Sequence, residues 1–352
     1  MTSDNFKGKI NTVLGLISPS TLGATSMHEH LLSSLDCYFK VPSEASGRFL
    51  MHQDLSLELI GKLPGKWLHH SDSMSLSDIS VAIDEVMSWK LEGGGAIVDA
   101  TSIGIGRDPL GLAKIARATG INLIMGCGYY LPSSHPPDMD QISESIIRDQ
   151  IISDLTLGVE ETGIRSGIIG EIGCEYPLTE NIEKILRASV GAQLSTGAPI
   201  LIHPGHSPDA PLEVIQLLIQ AGADPENVIM GHLDARIIDY SILPELGDLG
   251  VFLELDTFGI EDTEFGGSHM ASTMPNDSQR IEMIQFLISR GYVDQILIAQ
   301  DVCDQWRYTR FGGKNYGHIL RSIVPRMLNI GVSKTDVDKM LVANPAHALT
   351  FK

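Results

Sequence analysis

Residues 167–203 read GIIGEIGCEYPLTENIEKILRASVGAQLSTGAPILIH. Two short apolar runs, Gly167 to Glu171 and Pro199 to His203, flank one amphipathic stretch, Thr179 to Thr196. This is the pattern of two parallel strands joined by a crossover helix. Each run also ends on a polar side chain that can bind a proton or a metal, Glu171 and His203.

The same rhythm continues in both directions. Further strands are predicted at Thr25 to His28, Ala96 to Ala100, Asn122 to Gly126, Asn227 to His232, Val251 to Leu255 and Gln295 to Asp301, eight in all. Helices are expected at Leu76 to Lys90, Asp108 to Thr119, Ser143 to Leu157, Pro211 to Ala221 and Ser278 to Arg290, with a last pair at Tyr316 to Leu328 and Thr335 to Leu341. The chain has 352 residues, long for an ordinary domain but suited to one α/β barrel, a TIM barrel, spanning residues 1–352. Lys9 to Ile17 reads as a short N-terminal β-hairpin on the barrel floor or edge. Residues 36–75 read as an irregular insertion after strand 1.

In a parallel barrel the C-terminal ends of the strands converge on one mouth. The residues there are His28, His30, Glu171, His203, His232 and Asp301. In an extended strand His28 and His30 share a face, while Glu29 points away from it. Taken singly, each His also reads as a packing residue, and each carboxylate as a helix cap. Six in order form a ligand set for two divalent ions, with one carboxylate able to bridge them. Such sites accept zinc, and also manganese, cobalt or iron.

A net charge of −19 argues against nucleic acid or an anionic membrane as partner. No apolar run is long enough to span a bilayer. The four cysteines, Cys37, Cys127, Cys174 and Cys303, have no paired spacing, and no secretory signal is visible. A reduced, cytoplasmic protein acting on a small molecule is therefore expected.

Several motifs place the chain more narrowly: Thr12-Val13-Leu14-Gly15, Leu22-Gly23-Ala24-Thr25, Met27-His28-Glu29-His30, Gly104-Ile105-Gly106-Arg107-Asp108, Gly170-Glu171-Ile172-Gly173, Ile202-His203-Pro204-Gly205, Gly231-His232-Leu233-Asp234 and Asn344-Pro345. Together they resemble the phosphotriesterase-like branch of the amidohydrolase superfamily, and within it the phosphotriesterase-related proteins. The resemblance implies a (β/α)8 barrel holding two zinc-like ions bridged by hydroxide, and a homodimer. His28, His30 and Asp301 would hold the more buried ion, His203 and His232 the more exposed one, and Glu171 would link them. Asp301 would be the catalytic residue that moves the proton of the nucleophile to the leaving group.

The chain departs from many relatives in presenting Glu171 where they bridge the metals with a carboxylated lysine. A shorter Glu requires the local backbone to move inward. Phosphorus-ester-cleaving relatives also relay a proton through an Asp and a His at positions that here read Ala235 and Thr257. Specialised phosphotriester cleavage is thereby disfavoured.

The expected activity is hydrolysis of a carbonyl ester, a lactone first. The alternatives are amide hydrolysis of small N-acyl amino acids or N-acyltaurine-like compounds, and phosphotriester cleavage as a side activity. A silent, ligand-binding barrel would require loss of a ligand residue, and none is missing. Substrate contacts are expected from Tyr129, Tyr130 and Arg307, the last suiting an anionic group. Asp234 and Asp256 read equally as partners of the His ligands and as caps or loop hydrogen bonders. Arg107 reads as a structural ion pair, and Cys174 lacks a paired base. His206, His269 and His318, and the cluster His52, His69, His70, read as surface or packing residues.

Overall fold

The computed structural model describes residues 6–62, 70–236, 240–261 and 274–352. Strands β1 (Ile10–Thr12) and β2 (Gly15–Ile17) form an antiparallel hairpin, followed by β3 (Ala24–Glu29). The insertion carries β4 (Ser33–Ser34), α1 (Ala45–Leu50), α2 (Leu57–Ile60) and β5 (Ser75–Leu76), with β4 and β5 paired antiparallel. Then come α3 (Ile79–Leu91), β6 (Gly94–Asp99), α4 (Pro109–Thr119), β7 (Asn122–Cys127), α5 (Glu144–Thr156), β8 (Ile168–Gly173), α6 (Glu180–Thr196), β9 (Ile200–His203), α7 (Ala210–Gln220) and β10 (Val228–Met230). After β10 follow α8 (Leu233–Arg236), α9 (Ile242–Asp248), β11 (Phe252–Leu255), α10 (Asp277–Ser289) and β12 (Ile296–Ile298). The chain ends on α11 (Val324–Asn329), α12 (Lys334–Asp338) and α13 (Asn344–Ala348).

Strands β3 and β6 to β12 form one parallel sheet in sequence order. The sheet closes on itself where the Asp301 N–H donates to the His28 carbonyl at 3.0 Å and the His30 N–H to the Val302 carbonyl at 3.2 Å. The protein is a TIM (β/α)8 barrel. Period-2 alternation sorts its side chains. Met27, Val98, Ile124, Ile168, Leu201, Ile229, Phe252 and Leu297 fill the lumen, with Ile10 and Leu22 beneath them. The intervening residues, among them Ile97, Leu123, Ile169, Ile200, Val228, Leu253 and Ile296, pack outward under the helices.

The N-terminal hairpin lies at the floor. Asn11 donates to the carbonyls of Leu155, at the end of α5, and Ser166, just before β8, and the Val13 N–H donates to the Leu123 carbonyl at the start of β7. Five of the longer helices begin at side-chain caps: Asp78 before α3, Asp108 before α4, Ser143 before α5, Thr179 before α6 and Asn276 before α10.

Two features differ from the sequence expectation. The connection from β10 to β11 contains α8 and α9, which are too short to show a helical period. The final helix pair is three helices, because wide π turns over Ile319–Ile323 and Lys339–Ala343 lead into segments opening at Pro325 and Pro345. Proline donates no N–H, so the preceding turn is free to widen. Among the described residues no helix is long and apolar enough to cross a membrane.

The lumen layer supports everything above it. Ile229 is fully buried there. Ile229→Ala is expected to destabilise the protein by about 2–5 kcal/mol, read from denaturant unfolding, with little change in far-UV circular dichroism.

Candidate metal centre

Directly above the apolar lumen layer, at the C-terminal strand ends, the barrel interior turns polar. The centre of that layer is Glu171. Strand β8 bulges there: Cys127 of β7 pairs with both Ile169 and Gly170, and the register with β9 shifts between Ile169 and Ile172. Gly170 permits the bulge, since its φ is +127° and a Cβ would lie 2.2 Å from the Leu201 carbonyl oxygen. The bulge is consistent with the inward shift expected for a short bridging Glu.

Four imidazoles surround this carboxylate. Glu171 Oε1 lies 3.2 Å from His30 Nε2. Glu171 Oε2 lies 3.1 Å from His203 Nδ1, 3.3 Å from His28 Nε2 and 3.4 Å from His232 Nε2. Asp301 Oδ1 is 3.4 Å from His30 Nε2, and at 15% side-chain exposure Asp301 is the most open of the six toward solvent. His232 Nε2 and His203 Nδ1 approach to 2.9 Å. All six residues read as ligands from the sequence therefore meet in one place.

Three of the four imidazoles, those of His28, His30 and His232, are held from behind. His30 Nδ1 meets the Thr101 hydroxyl at 2.9 Å, His232 Nδ1 meets Asp256 Oδ1 at 2.8 Å, and His28 Nδ1 meets Glu254 Oε2 at 3.0 Å. Two of the six residues sit in left-handed backbone, His232 at φ +55° and Asp301 at φ +50°. Such positions cost on the order of 1–3 kcal/mol each and persist only when the surroundings fix them. The His232 N–H donates to Asp256 Oδ2 at 2.8 Å. Asp301 is clamped by its neighbours: the N–H groups of Gln300 and Val302 donate to the buried Glu29 carboxylate at 3.0 and 2.8 Å. Glu29, pointing away from the mouth between the two histidines, thus fastens β3 to the chain beyond β12.

The other sequence-selected residues fall in varied places. The Tyr130 hydroxyl lies 3.3 Å from His203 Nδ1 and 2.8 Å from the Tyr38 hydroxyl, at the mouth. Tyr129 faces the other way, into the main core, with its ring against His135. Arg307 is buried beside the site, its Nη1 donating to the Asp301 carbonyl at 3.3 Å and its Nη2 to the Phe258 carbonyl at 2.9 Å. Asp256 supports His232. Asp234 stands one layer further out, accepting from the N–H groups of Asp256 and Thr257 and from Arg280 Nε at 2.9 Å.

Arg107 pairs with Asp154 at 2.8 Å. Cys174 is fully buried. His318 pairs with Asp277, His70 accepts from the Ser73 N–H within the insertion, His52 is exposed, and His206 is exposed with its ring against His203. His69 and His269 lie outside the described residues. The sequence reading missed Glu254, Thr101 and Tyr38. Glu254 was detectable: in the buried run Phe252-Leu253-Glu254-Leu255-Asp256, two carboxylates alternate onto the lumen face.

The donor set suits divalent cations. Imidazole nitrogens and carboxylate oxygens converge in three overlapping groups, His28/His30/Asp301, His28/Glu171/His232 and His28/Glu254/Asp256, each with ligand atoms within 4.8 Å of one another. His28 Nε2 is buried and lacks a hydrogen-bond partner, even though Glu171 is near. A buried ring nitrogen free of hydrogen bonds is a donor atom suited to a metal ion.

Residues 8–349 match the model of the phosphotriesterase family. The chain belongs to that family. A phosphotriesterase-related protein of Nematostella vectensis is 41% identical over 348 residues, covering 98% of this chain and 99% of that protein. The N-acetyltaurine hydrolase of Dictyostelium discoideum is 41% identical over 366 residues, covering 98% of each. Among solved structures, a resiniferatoxin-binding protein from Rhodobacter sphaeroides superposes with a TM-score of 0.93 at 33% identity, over 97% of this chain and 95% of that one. The lactonase Lmo2620 from Listeria monocytogenes gives 0.79 at 26% identity, over 98% and 99%. With this membership the protein is a hydrolase of a family that uses binuclear metal centres.

Charge at the site follows from its burial. Desolvation alone would lower the imidazoles, but the facing carboxylates outweigh it. Asp301 and Glu171 push His30 up to about 9, and Asp256 and Glu171 push His232 up to about 10. Burial would raise Glu171, yet His28 and the other imidazoles hold it well below the carboxylate range. The metal-free folded protein therefore binds these imidazole protons more tightly than the unfolded chain does. That part of its stability is complete below about pH 6.5, the ordinary histidine value, and is lost as pH rises through 9 and 10. The melting temperature of chelator-treated protein is expected to fall between pH 7 and pH 10, and zinc uptake to release protons, measurable as buffer-dependent heat in titration calorimetry. A flat melting temperature over that range, or uptake without proton release, would contradict this charge pattern.

Proposed function

We propose that the protein hydrolyses the amide bond of a small N-acyl compound of the N-acetyltaurine type, using two divalent ions. His28, His30 and Asp301 would hold one ion, His203 and His232 the other, and Glu171 both. The observation that carries the metal reading is the single Glu171 carboxylate within 3.4 Å of four imidazole nitrogens. The amide is preferred over the lactone expected from sequence because a relative sharing 41% identity over 98% of both chains is an N-acetyltaurine hydrolase, while the lactonase shares 26%. Its Glu171 in place of lysine points the same way.

When bound, the ions would supply Lewis acidity toward the scissile carbonyl and acidify a water to roughly neutral pKa. The protein's own groups do the rest. Asp301 is the most exposed carboxylate of the set, and its Oδ1 faces His30. It takes the proton of the attacking water and delivers it to the leaving nitrogen, which departs only as a protonated amine. The Tyr130 hydroxyl, braced by Tyr38, lies beside His203 and holds the acyl end of the substrate. Arg307 has given both Nη groups to the backbone carbonyls of Asp301 and Phe258. It steadies the backbone of Asp301 and is not assigned to an anionic substrate group. Tyr129, turned into the core, is likewise not assigned to substrate.

The test is a substrate panel on zinc-loaded protein: N-acetyltaurine, N-acetyl amino acids, γ- and δ-lactones and aryl phosphotriesters. Acetate release from N-acetyltaurine should dominate. Lactone turnover with no amide cleavage would overturn the amide assignment and leave the metal reading intact. In the same assay Asp301→Asn is expected to lower kcat by roughly 10²–10⁴-fold, and Tyr130→Phe to raise KM more than it lowers kcat.

A further inference from the structure

Strand β11 supplies none of the six residues assigned to the ions, yet a carboxylate within it, Glu254, and one just past its end, Asp256, both reach the site. Glu254 and Asp256 both face the lumen and both are fully buried. Their partners differ. Asp256 has both oxygens committed to His232, Oδ1 to the ring Nδ1 and Oδ2 to the backbone N–H, each at 2.8 Å. Its approach to His28 Nδ1, at 3.3 Å, is longer. Glu254 Oε2 takes the shorter contact with His28 Nδ1, at 3.0 Å. Its Oε1 is buried with no hydrogen-bond partner, so among the described residues His28 is its one side-chain hydrogen-bond contact.

The two carboxylates fit side by side because residue 231 is glycine. A Cβ there would sit 3.2 Å from Asp256 Oδ2, 3.3 Å from Glu254 Oε2 and 2.9 Å from the Ile202 carbonyl oxygen. Gly231 therefore preserves the space in which β11 presents one carboxylate to each of two histidines.

A histidine carries one ring proton when neutral. If Nδ1 donates that proton to a carboxylate, Nε2 is left as the basic ligand atom and the ring is fixed in orientation. His28 has this arrangement: its Nε2 is a buried nitrogen without a hydrogen-bond partner, 3.3 Å from Glu171 Oε2. We propose that Glu254 is the positioning residue for His28, setting its tautomer and ring angle and so tuning the affinity of the ion held with His30 and Asp301, while Asp256 does the same for His232 and the other ion. The inference rests on the two-ion reading above.

The experiment compares wild type with Glu254→Gln and Asp256→Asn by zinc competition against a chromophoric chelator. It adds histidine-selective ¹⁵N NMR of the zinc-loaded wild type. The Gln variant keeps the shape but replaces a charged acceptor by a neutral amide. It should lose roughly 10–100-fold in affinity for one ion, with the second affinity within about threefold of wild type, and Asp256→Asn should weaken the other ion. In wild type, His28 should show a protonated Nδ1 and a zinc-shifted Nε2.

Unchanged affinities in Glu254→Gln, or equal loss at both ions, would overturn the proposal. So would an unprotonated His28 Nδ1 in wild type, a measurement that stands even if the variant does not fold. Wild type that binds no zinc would instead defeat the two-ion reading itself.

Discussion

The structure is organised around one constraint: a buried carboxylate, Glu171, with four imidazole nitrogens within 3.4 Å and, among the described residues, no lysine or arginine paired with it. A lone buried carboxylate is costly, and so is a cluster of buried imidazoles. Together they lower the cost only if positive charge is present, whether as protons on the rings or as cations between them. That need shapes the surroundings. Glu254, Asp256 and Asp301 face the same rings, and a β-bulge at Gly170 brings Glu171 inward to meet them.

The barrel makes such a cluster tolerable. Its apolar lumen layer, from Met27 around to Leu297, is a stiff base, and the polar layer stands on it at the C-terminal ends of the same strands. Phe252 belongs to the lower layer, and two and four residues further along the same face stand Glu254 and Asp256. The strained backbone at Asp301 is held where β3 and β12 meet, by a Glu29 carboxylate that accepts N–H groups on both sides of it. Closure of the barrel and orientation of Asp301 are thus one hydrogen-bond arrangement.

Much of this was legible in the sequence. Eight apolar runs indicated the strand order, and the five that end in His, Glu or Asp, with His30 just beyond the first, indicated the six converging residues, because period-2 burial and the shared mouth of a parallel barrel are geometric rules. The supporting groups were harder to read. Thr101 and Tyr38 look like ordinary polar residues, and their contacts with His30 and Tyr130 span 71 and 92 positions of chain. Tyr129 and Tyr130 are adjacent, and no local signal says which one faces the mouth. From sequence Arg307 read as a contact for an anionic substrate group. Only the fold shows its Nη groups turned back onto the carbonyls of Asp301 and Phe258. The helices α8 and α9, four and seven residues long, carry too few turns to leave a helical period.

The central claim, that Glu171 joins two divalent ions, is tested most directly by metal stoichiometry. Wild type and Glu171→Gln would be loaded with zinc, freed of excess by gel filtration and analysed by inductively coupled plasma mass spectrometry. The account predicts two zinc ions per chain in wild type and fewer than one in the variant, both proteins remaining folded by circular dichroism. Two ions retained in Glu171→Gln, or substantially fewer than two in wild type, would contradict it.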